Sequence, residues 1–280
     1  MDTVLIVIDA LRRSDVGCYG REDNITPAID RIAAEGTVYE NAISQSNFTD
    51  VCMSSIMSGQ APEGHGVKNH GASYTEQSLK GIQEANTEFL PQALSKEGIR
   101  TIGLDWLGRW HRWGYDEYGV GEDVRNEKGL MGLLRAAIKT LPDPVVHEIR
   151  KLLWRVNEPT NPGANCEELT DMAIDSLEEN TEDSFTLVHY WDVHPPFRPP
   201  EGYDDDYKFD GEDKPLSYYF QAERKGKVGA EYAMHINGLR ETLAESKRAY
   251  DGTISWVDEQ VGRLYDYLEQ SDRLEETLFI

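Results

Sequence analysis

Two carboxylates and one imidazole follow predicted strands, at positions where a parallel sheet would bind a ligand. Asp9 follows the apolar run VLIVI at 4–8, and Asp192 comes after a second predicted strand at 185–190, with His194 two residues further on. Runs of this kind are typical of strands buried on both faces, and ligands bind such sheets at the carboxyl ends of the strands. In an extended segment the side chains of Asp192 and His194 would lie on the same side, and such a pair is a weak indication of a metal site. Asp9 could equally cap a following helix, and a histidine beside prolines is more often structural.

The elements that would carry these residues alternate between strand and helix along the chain. This alternation predicts one α/β domain over residues 1–280, a doubly wound, mostly parallel sheet with helices on both faces. Residues 121–165 hold proline and glycine among basic helical patches and are predicted to be a helical insertion. Further strands are predicted at 37–42, 100–104 and 277–280, and helices at 26–36, 54–58, 88–97, 167–178 and about 241–268.

Charge and composition exclude several classes of function. The chain has 51 Asp and Glu against 28 Lys and Arg, a net charge of −23, and such a surface repels nucleic-acid phosphates and anionic lipid. Cys18, Cys52 and Cys166 are too few and too scattered for a disulfide scaffold or a zinc cluster. No apolar stretch approaches the roughly 18 residues of a membrane span, and the first ten residues do not resemble a signal peptide. A cytoplasmic protein without nucleic-acid partners is expected.

The same acidic charge predicts a halophilic protein, whose self-repulsion is screened by high salt. We expect the midpoint of thermal unfolding to rise with KCl between about 0.01 M and 1 M, because the Debye length falls over this range from about 30 Å to about 3 Å. Melting curves recorded across these concentrations would test the expectation. A midpoint that stays flat or falls would contradict salt adaptation.

Several motifs in a fixed order resemble the sulfatase family within the alkaline phosphatase superfamily. They leave out only about 120–180 and 200–240. The resemblance implies an alkaline phosphatase-like fold with one divalent metal ion beside a covalent nucleophile at the start of a short helix. The motifs are VLIVIDALRRSDVGCYG at 4–20, TPAIDRIAAEGTVYENAIS at 26–44, SNFTDVCMSSIMSG at 46–59, GHGVKNHG at 64–71, FLPQALSKEGIRTIGL at 89–104, GYDEY at 114–118, HYWDVHPPF at 189–197 and the run 250–280.

The resemblance also implies which residue is the nucleophile. Ser58 and Gly59 match the family's Thr-Gly pair, and counting back from them places the nucleophile at Thr49. Formylglycine sulfatases have Cys or Ser there, within Cys-x-Pro-Ser-Arg. Cys52 lacks the proline and the arginine, so no formylglycine is expected. A threonine nucleophile is similar to the phosphodiesterase and phosphotransferase branches, and Thr49 would also serve as a helix N-cap.

The remaining site residues follow from the same resemblance. Asp9 matches the first metal-binding aspartate, so Asp9 and the nucleophile are the implied ligands, while Ala10 stands where many sulfatases have a second aspartate. His194 matches the histidine that contacts the anionic group or the leaving oxygen. His70 stands where the family often has an asparagine facing the substrate, and His65 is interpreted as structural.

Two functions follow as hypotheses. The first is a metal-dependent hydrolase or transferase of sulfate or phosphate esters, acting on an anionic small molecule or glycan with Ca²⁺, Mg²⁺, Mn²⁺ or Zn²⁺. The second is an inactive remnant or binding module of the same fold. The family completes its metal site with an Asp-His-Gly or Asp-Asn-Gly segment, and the sequence ends at Ile280 before one. A weakly bound metal, a Thr49 without a neighbouring base and no turnover are therefore expected. The sequence predicts no oligomeric state.

Overall fold

In the computed structural model, five parallel strands form one sheet within the described part of the chain. The strands are β1 (Asp2–Ile8), β2 (Arg100–Leu104), β3 (Glu117–Tyr118), β4 (Ser184–Tyr190) and β5 (Thr277–Phe279), in the spatial order β3-β2-β4-β1-β5. The structure describes residues 1–68, 81–82, 84–105, 113–119, 164–203, 207, 209, 211–215 and 242–280.

The register of β1 and β4 places the ends of both strands side by side. Ile8 lies opposite Tyr190, and the backbone N–H of Asp9 donates to the carbonyl oxygen of Tyr190 over 2.9 Å. All seven residues of β4 are buried, as expected for a central strand covered on both faces. The segments that follow β1 and β4 therefore leave the sheet at the same edge.

Helices cover both faces of this sheet. Within the described ranges they are α1 (Pro27–Glu35), α2 (Thr49–Ser58), α3 (Pro62–His65), α4 (Leu90–Lys96), α5 (Cys166–Glu179) and α6 (Leu243–Gln270). On one face, Val188 and Tyr190 of β4 pack in a core with α5 and α6. On the other face, Phe185 and Leu187 pack with α2 and α4. The alternation of side chains along β4 thus supplies two cores, which confirms the doubly wound α/β class.

No helix in the described part of the chain combines the length and the apolar character needed to cross a membrane.

Most predicted elements are present, and two predictions need correction. Residues 37–42 are not a strand: every one of them is exposed, Tyr39 at 74%, so their β-branched and aromatic side chains have no core to cover. The helix predicted at 54–58 begins five residues earlier, at Thr49. Of the predicted insertion 121–165, only residues 164 and 165 belong to the described ranges.

A buried ion network ties the segment after β1 to α6. Arg21 Nη1 lies 2.8 Å from Asp251 Oδ1 and 3.2 Å from Asp15 Oδ1, and both carboxylates are at most 7% exposed. Lys247 bonds to Asp251 and lies 3.5 Å from Asp15. Buried carboxylates need such partners, because an unpaired charge in the interior costs several kcal/mol.

Replacing Arg21 by alanine is expected to lower the free energy of unfolding by about 2 kcal/mol, because two buried carboxylates lose a charged hydrogen-bond donor while Lys247 stays beside both. The control is Arg31→Ala, which breaks an ion pair between Arg31 and Asp266, whose side chains are 42% and 44% exposed respectively. This variant should lose under about 1 kcal/mol of unfolding free energy. Urea denaturation of both variants measures the difference. Equal losses would show that the Arg21 network contributes no more than a surface pair.

Candidate active site

The carboxyl end of β1 and the N-terminus of α2 bring Asp9 and Thr49 together. Thr49 Oγ1 donates to the Asp9 carboxylate, 3.3 Å from Oδ2 and 3.5 Å from Oδ1. Both residues are partly buried. The expectation that Thr49 has no neighbouring base is therefore wrong, because the fold sets a carboxylate beside its hydroxyl across 40 positions of sequence.

Asp9 is not a helix cap. Its backbone continues the sheet ladder to Tyr190, and the next residue, Ala10, has a left-handed φ of 59°. The first helical turn after it, Arg13–Asp15, has Arg12 at its N-cap. The left-handed residue turns the chain away from the sheet directly after Asp9, which leaves the Asp9 side chain at the strand end.

Thr49 occupies the first position of α2 and is not its N-cap. The N-cap is Phe48, without a side-chain cap, and the helix runs ten residues to Gly59, which adopts a left-handed φ of 64°. The first N–H groups of a helix have no acceptor within it and carry partial positive charge, so an anion placed there is stabilised. A hydroxyl, a carboxylate and a helix N-terminus thus meet at one point.

Cys52 lies three positions further along α2 and is held elsewhere. Its Sγ donates to the carbonyl oxygen of Ser46 over 3.0 Å and lies 3.0 Å from Ser44 Oγ. The thiol is thus bound by the segment before the helix, whereas the hydroxyl that reaches Asp9 belongs to Thr49.

Asp192 and His194 do not form one site. Residues 191–194 make a turn closed by the N–H of His194 donating to the carbonyl of Trp191 over 2.8 Å, and the predicted extended segment is wrong. Asp192 is buried and accepts from the backbone N–H and the thiol of Cys166 at the N-terminus of α5, and burial raises its pKa to about 6. A carboxylate at this helix start satisfies N–H groups that would otherwise lack partners.

His194 is exposed at the sheet edge where Asp9 lies. Its Nδ1 donates to the carbonyl of Pro195 over 2.7 Å, and its ring packs on Trp191 at 5.3 Å between centroids. Because a carbonyl only accepts, Nδ1 carries a proton, and Nε2 is a donor only in the imidazolium form. Neither Asp9 nor Thr49 is hydrogen-bonded to His194 within the described ranges.

His65 is structural, as the sequence suggested. It is fully buried, its Nδ1 accepts the backbone N–H of Val67 over 3.1 Å, and its Nε2 lies 2.9 Å from Ser55 Oγ. The first bond places the proton on Nε2, which therefore donates to Ser55 and cannot activate that hydroxyl as a base. The pair joins α2 to the segment after α3 and fixes the helix that begins at Thr49.

Burial lowers the pKa of His65 below its ordinary value of 6.5, which predicts a pH dependence of stability. As the pH falls below about 6.5, His65 is protonated in the unfolded chain but stays neutral in the folded protein. The free energy of unfolding should therefore fall. His65→Gln lacks this titration and should show a shallower decline between pH 6.5 and 5. Chemical denaturation at several pH values compares the slopes, and parallel curves would contradict the prediction.

The site offers only part of a metal shell. A carboxylate and a hydroxyl are oxygen donors of the kind that Mg²⁺ and Ca²⁺ take, but these ions require about six or more ligands. No group of three or more His, Cys, Asp or Glu that could hold a metal occurs among the residues whose placement is described. His70, the residue implied for substrate binding, lies outside those residues.

Sequence reasoning missed Tyr250 of α6. Its hydroxyl donates to the carbonyl of Ala10 over 3.1 Å and accepts the N–H of Arg12 over 3.3 Å. The only sequence signal was its place at the start of the motif at 250–280, because the two partners are about 240 positions apart.

Fold and site together define a doubly wound α/β protein of the alkaline phosphatase type, with an Asp–Thr pair at the carboxyl edge of its sheet. The sulfatase family model matches residues 2–280, and the chain belongs to the sulfatase family. A curated relative, an arylsulfatase of Clostridium perfringens, is 24% identical over 311 aligned residues, which cover 99% of this chain and 61% of the relative.

Solved structures agree on the fold. The phosphonate monoester hydrolase of Agrobacterium radiobacter superposes with a TM-score of 0.64 at 18% identity, covering 100% of this chain and 61% of that one. A protein solved in complex with its substrate D-glucosamine-2-N,6-O-disulfate gives a TM-score of 0.58 at 18% identity, covering 99% of this chain and 64% of that one. The chain thus spans about three fifths of the length of these proteins.

Proposed function

We propose that the protein hydrolyses or transfers sulfate or phosphate esters with Thr49 as its nucleophile. The observation that carries the proposal is the 3.3 Å contact between Thr49 Oγ1 and Asp9 Oδ2 at the N-terminus of α2. Membership of the sulfatase family supports the chemistry, and the similarity to an arylsulfatase supports a sulfate ester as the substrate, which would belong to a small molecule or a glycan.

In the first step Thr49 Oγ1 attacks the sulfur or phosphorus of the ester. The Asp9 carboxylate accepts the hydroxyl proton, and the bond from sulfur or phosphorus to the leaving oxygen breaks with its electron pair. The leaving oxygen takes a proton from His194 in its imidazolium form, leaving a covalent ester on Thr49. Water or an acceptor hydroxyl then attacks the sulfur or phosphorus and gives its proton to the now neutral His194. The bond to Thr49 Oγ1 breaks with its electron pair, Oγ1 takes back the proton held by Asp9, and sulfate, phosphate or a transferred ester is released.

The helix that begins at Thr49 stabilises this reaction electrostatically. The N–H groups of its first turn carry partial positive charge, which favours the anionic oxygens of the ester and the charge that develops during attack. These donors are fixed by the fold before substrate binds, so no reorganisation is needed at the moment of reaction.

Asp9 and Thr49 are the residues that would hold a divalent cation, which makes a bound hydroxyl more acidic and screens the charge of the ester. With two donors alone, the described part of the chain should bind Ca²⁺, Mg²⁺, Mn²⁺ or Zn²⁺ weakly. The shortage of donors in these residues favours a second candidate, a binding module that recognises an anionic ester without turnover.

Turnover assays with trapping of the covalent intermediate separate the two candidates. The intact protein is mixed with an aryl sulfate, an aryl phosphate or an aryl phosphodiester, quenched in acid and digested for mass spectrometry. We expect release of the phenol and a sulfated or phosphorylated peptide that contains Thr49. Formylglycine at Cys52, or an adduct on another residue, would overturn the assignment of Thr49. Saturable binding of the aryl sulfate without release of phenol would favour the binding module.

A further inference from the structure

Tyr250 of α6 reaches the segment that follows Asp9 from the opposite end of the chain. Its side chain is buried, and its hydroxyl bridges two backbone groups there, donating to the carbonyl of Ala10 over 3.1 Å and accepting the N–H of Arg12 over 3.3 Å. Both bonds fix the chain within three residues of the carboxylate that contacts Thr49.

Ala10 needs such support because its backbone is in the left-handed region. An ordinary residue with positive φ costs of order 1–2 kcal/mol, whereas Asn and Asp adopt it more readily. The other non-glycine residues with positive φ in the described ranges are Asn24, Asn86 and Asp272. Ala10 has no polar side chain to stabilise the turn, and the Tyr250 hydroxyl on its carbonyl supplies a hydrogen bond from outside.

The ring of Tyr250 also contacts the segment after β4. Phe197 packs edge-on against it with 5.0 Å between ring centroids, three residues beyond His194. The guanidinium of Arg12 lies 5.0 Å from the Tyr250 centroid. One side chain therefore contacts both segments that leave the carboxyl edge of the sheet, the one with Asp9 and the one with His194.

We propose that Tyr250 is a positioning residue that holds Asp9 against Thr49 through the left-handed turn at Ala10. The proposal rests on the proposed function and extends it to a residue that does not touch the reacting atoms. Rotation of the peptide between Asp9 and Ala10 would move the carboxylate away from the hydroxyl. A displacement of about 1 Å can cost on the order of 10²-fold in rate.

Tyr250→Phe in the intact protein keeps the ring and removes only the hydroxyl. We expect kcat to fall by roughly 10- to 100-fold with little change in KM, since the reacting groups move while the ester is still bound. Adding Ala10→Gly should restore much of kcat, because glycine adopts a positive φ without steric cost. A structural role of Tyr250 alone would not be relieved by a change at residue 10.

Tyr265→Phe is the matched control on the same helix. Tyr265 is equally buried, donates its hydroxyl to Glu35 over 2.8 Å, and has Arg31 over its ring and Phe279 at its edge. It lies away from the Asp9 segment, so its variant should lose comparable stability and keep kcat. An unchanged kcat in Tyr250→Phe, an equal loss in Tyr265→Phe, or no recovery with Ala10→Gly would each overturn the proposal.

Amide exchange provides a measurement that does not depend on turnover. The N–H of Arg12 donates to the Tyr250 hydroxyl, so its exchange rate should rise at least several-fold in Tyr250→Phe. The exchange rate should not change in Tyr265→Phe. If the wild-type protein turned over no ester, the proposed function would be wrong. The exchange rate of the Arg12 N–H would still show whether Tyr250 holds the turn at Ala10. Unchanged exchange at Arg12 would show that Tyr250 does not hold the segment.

Discussion

Thr49→Ala is expected to lower kcat on the preferred ester by about 10³-fold or more, because the variant has no hydroxyl to form the covalent intermediate. Thr49→Ser keeps a hydroxyl at the start of α2 and should retain activity within roughly 10-fold. Steady-state kinetics of both variants and thermal melting of each would measure the effect. Melting should change little, because Thr49 is partly exposed and bonds only weakly, at 3.3 Å, to Asp9.

Cys52→Ala is the control for this prediction. Cys52 lies on the same helix, and its thiol is bound to the carbonyl of Ser46, so its loss should leave kcat nearly unchanged. The assignment is contradicted if Cys52→Ala abolishes turnover while Thr49→Ala keeps it. That result would place the nucleophile one turn further along α2 and revive formylglycine chemistry.

The strands were the most predictable part of the fold. Val4–Ile8 of β1 is a continuous apolar run, and β2 and β4 carry β-branched and aromatic residues between a few polar ones. Helices cover both faces of the sheet, and this composition can be read directly from the sequence. Residues 37–42 have the same β-branched and aromatic character without a core to cover, so propensity alone predicted a strand that does not exist. The sequence pattern placed this helix only at 54–58, and the family resemblance alone put its start near Thr49, because Phe48 before it is no capping residue.

The site was predictable only in part. From the sequence pattern alone, Asp9 could be either a metal ligand or a helix cap. Only the family resemblance paired it with Thr49, which lies 40 residues away. Local spacing was misleading at Asp192, since a two-residue offset implies a shared side only if the chain stays extended, and here it turns. The Tyr250 contact depends on how α6 packs beside β1 and β4, which no local pattern encodes.

The second large effect is expected at Asp9. Asp9→Asn keeps the shape and one acceptor oxygen, so the Thr49 hydroxyl can still donate to it, but the charge is lost. An amide neither accepts the hydroxyl proton nor binds a divalent cation as strongly as a carboxylate. We expect kcat to fall by about 10²-fold or more, and the affinity for the activating cation to fall by at least about 10-fold.

The kinetics and the calorimetric cation titrations of Asp9→Asn should be compared with those of a control variant, Asp192→Asn. Asp192 follows the neighbouring strand but is buried against the start of α5, so losing its charge should change stability and leave cation affinity and kcat close to wild type. Retained cation affinity with a large loss of kcat in Asp9→Asn would make Asp9 a base alone. If cation affinity and kcat both stayed unchanged, the Asp9 charge would play no part in the chemistry, and its contact with Thr49 would be a structural hydrogen bond.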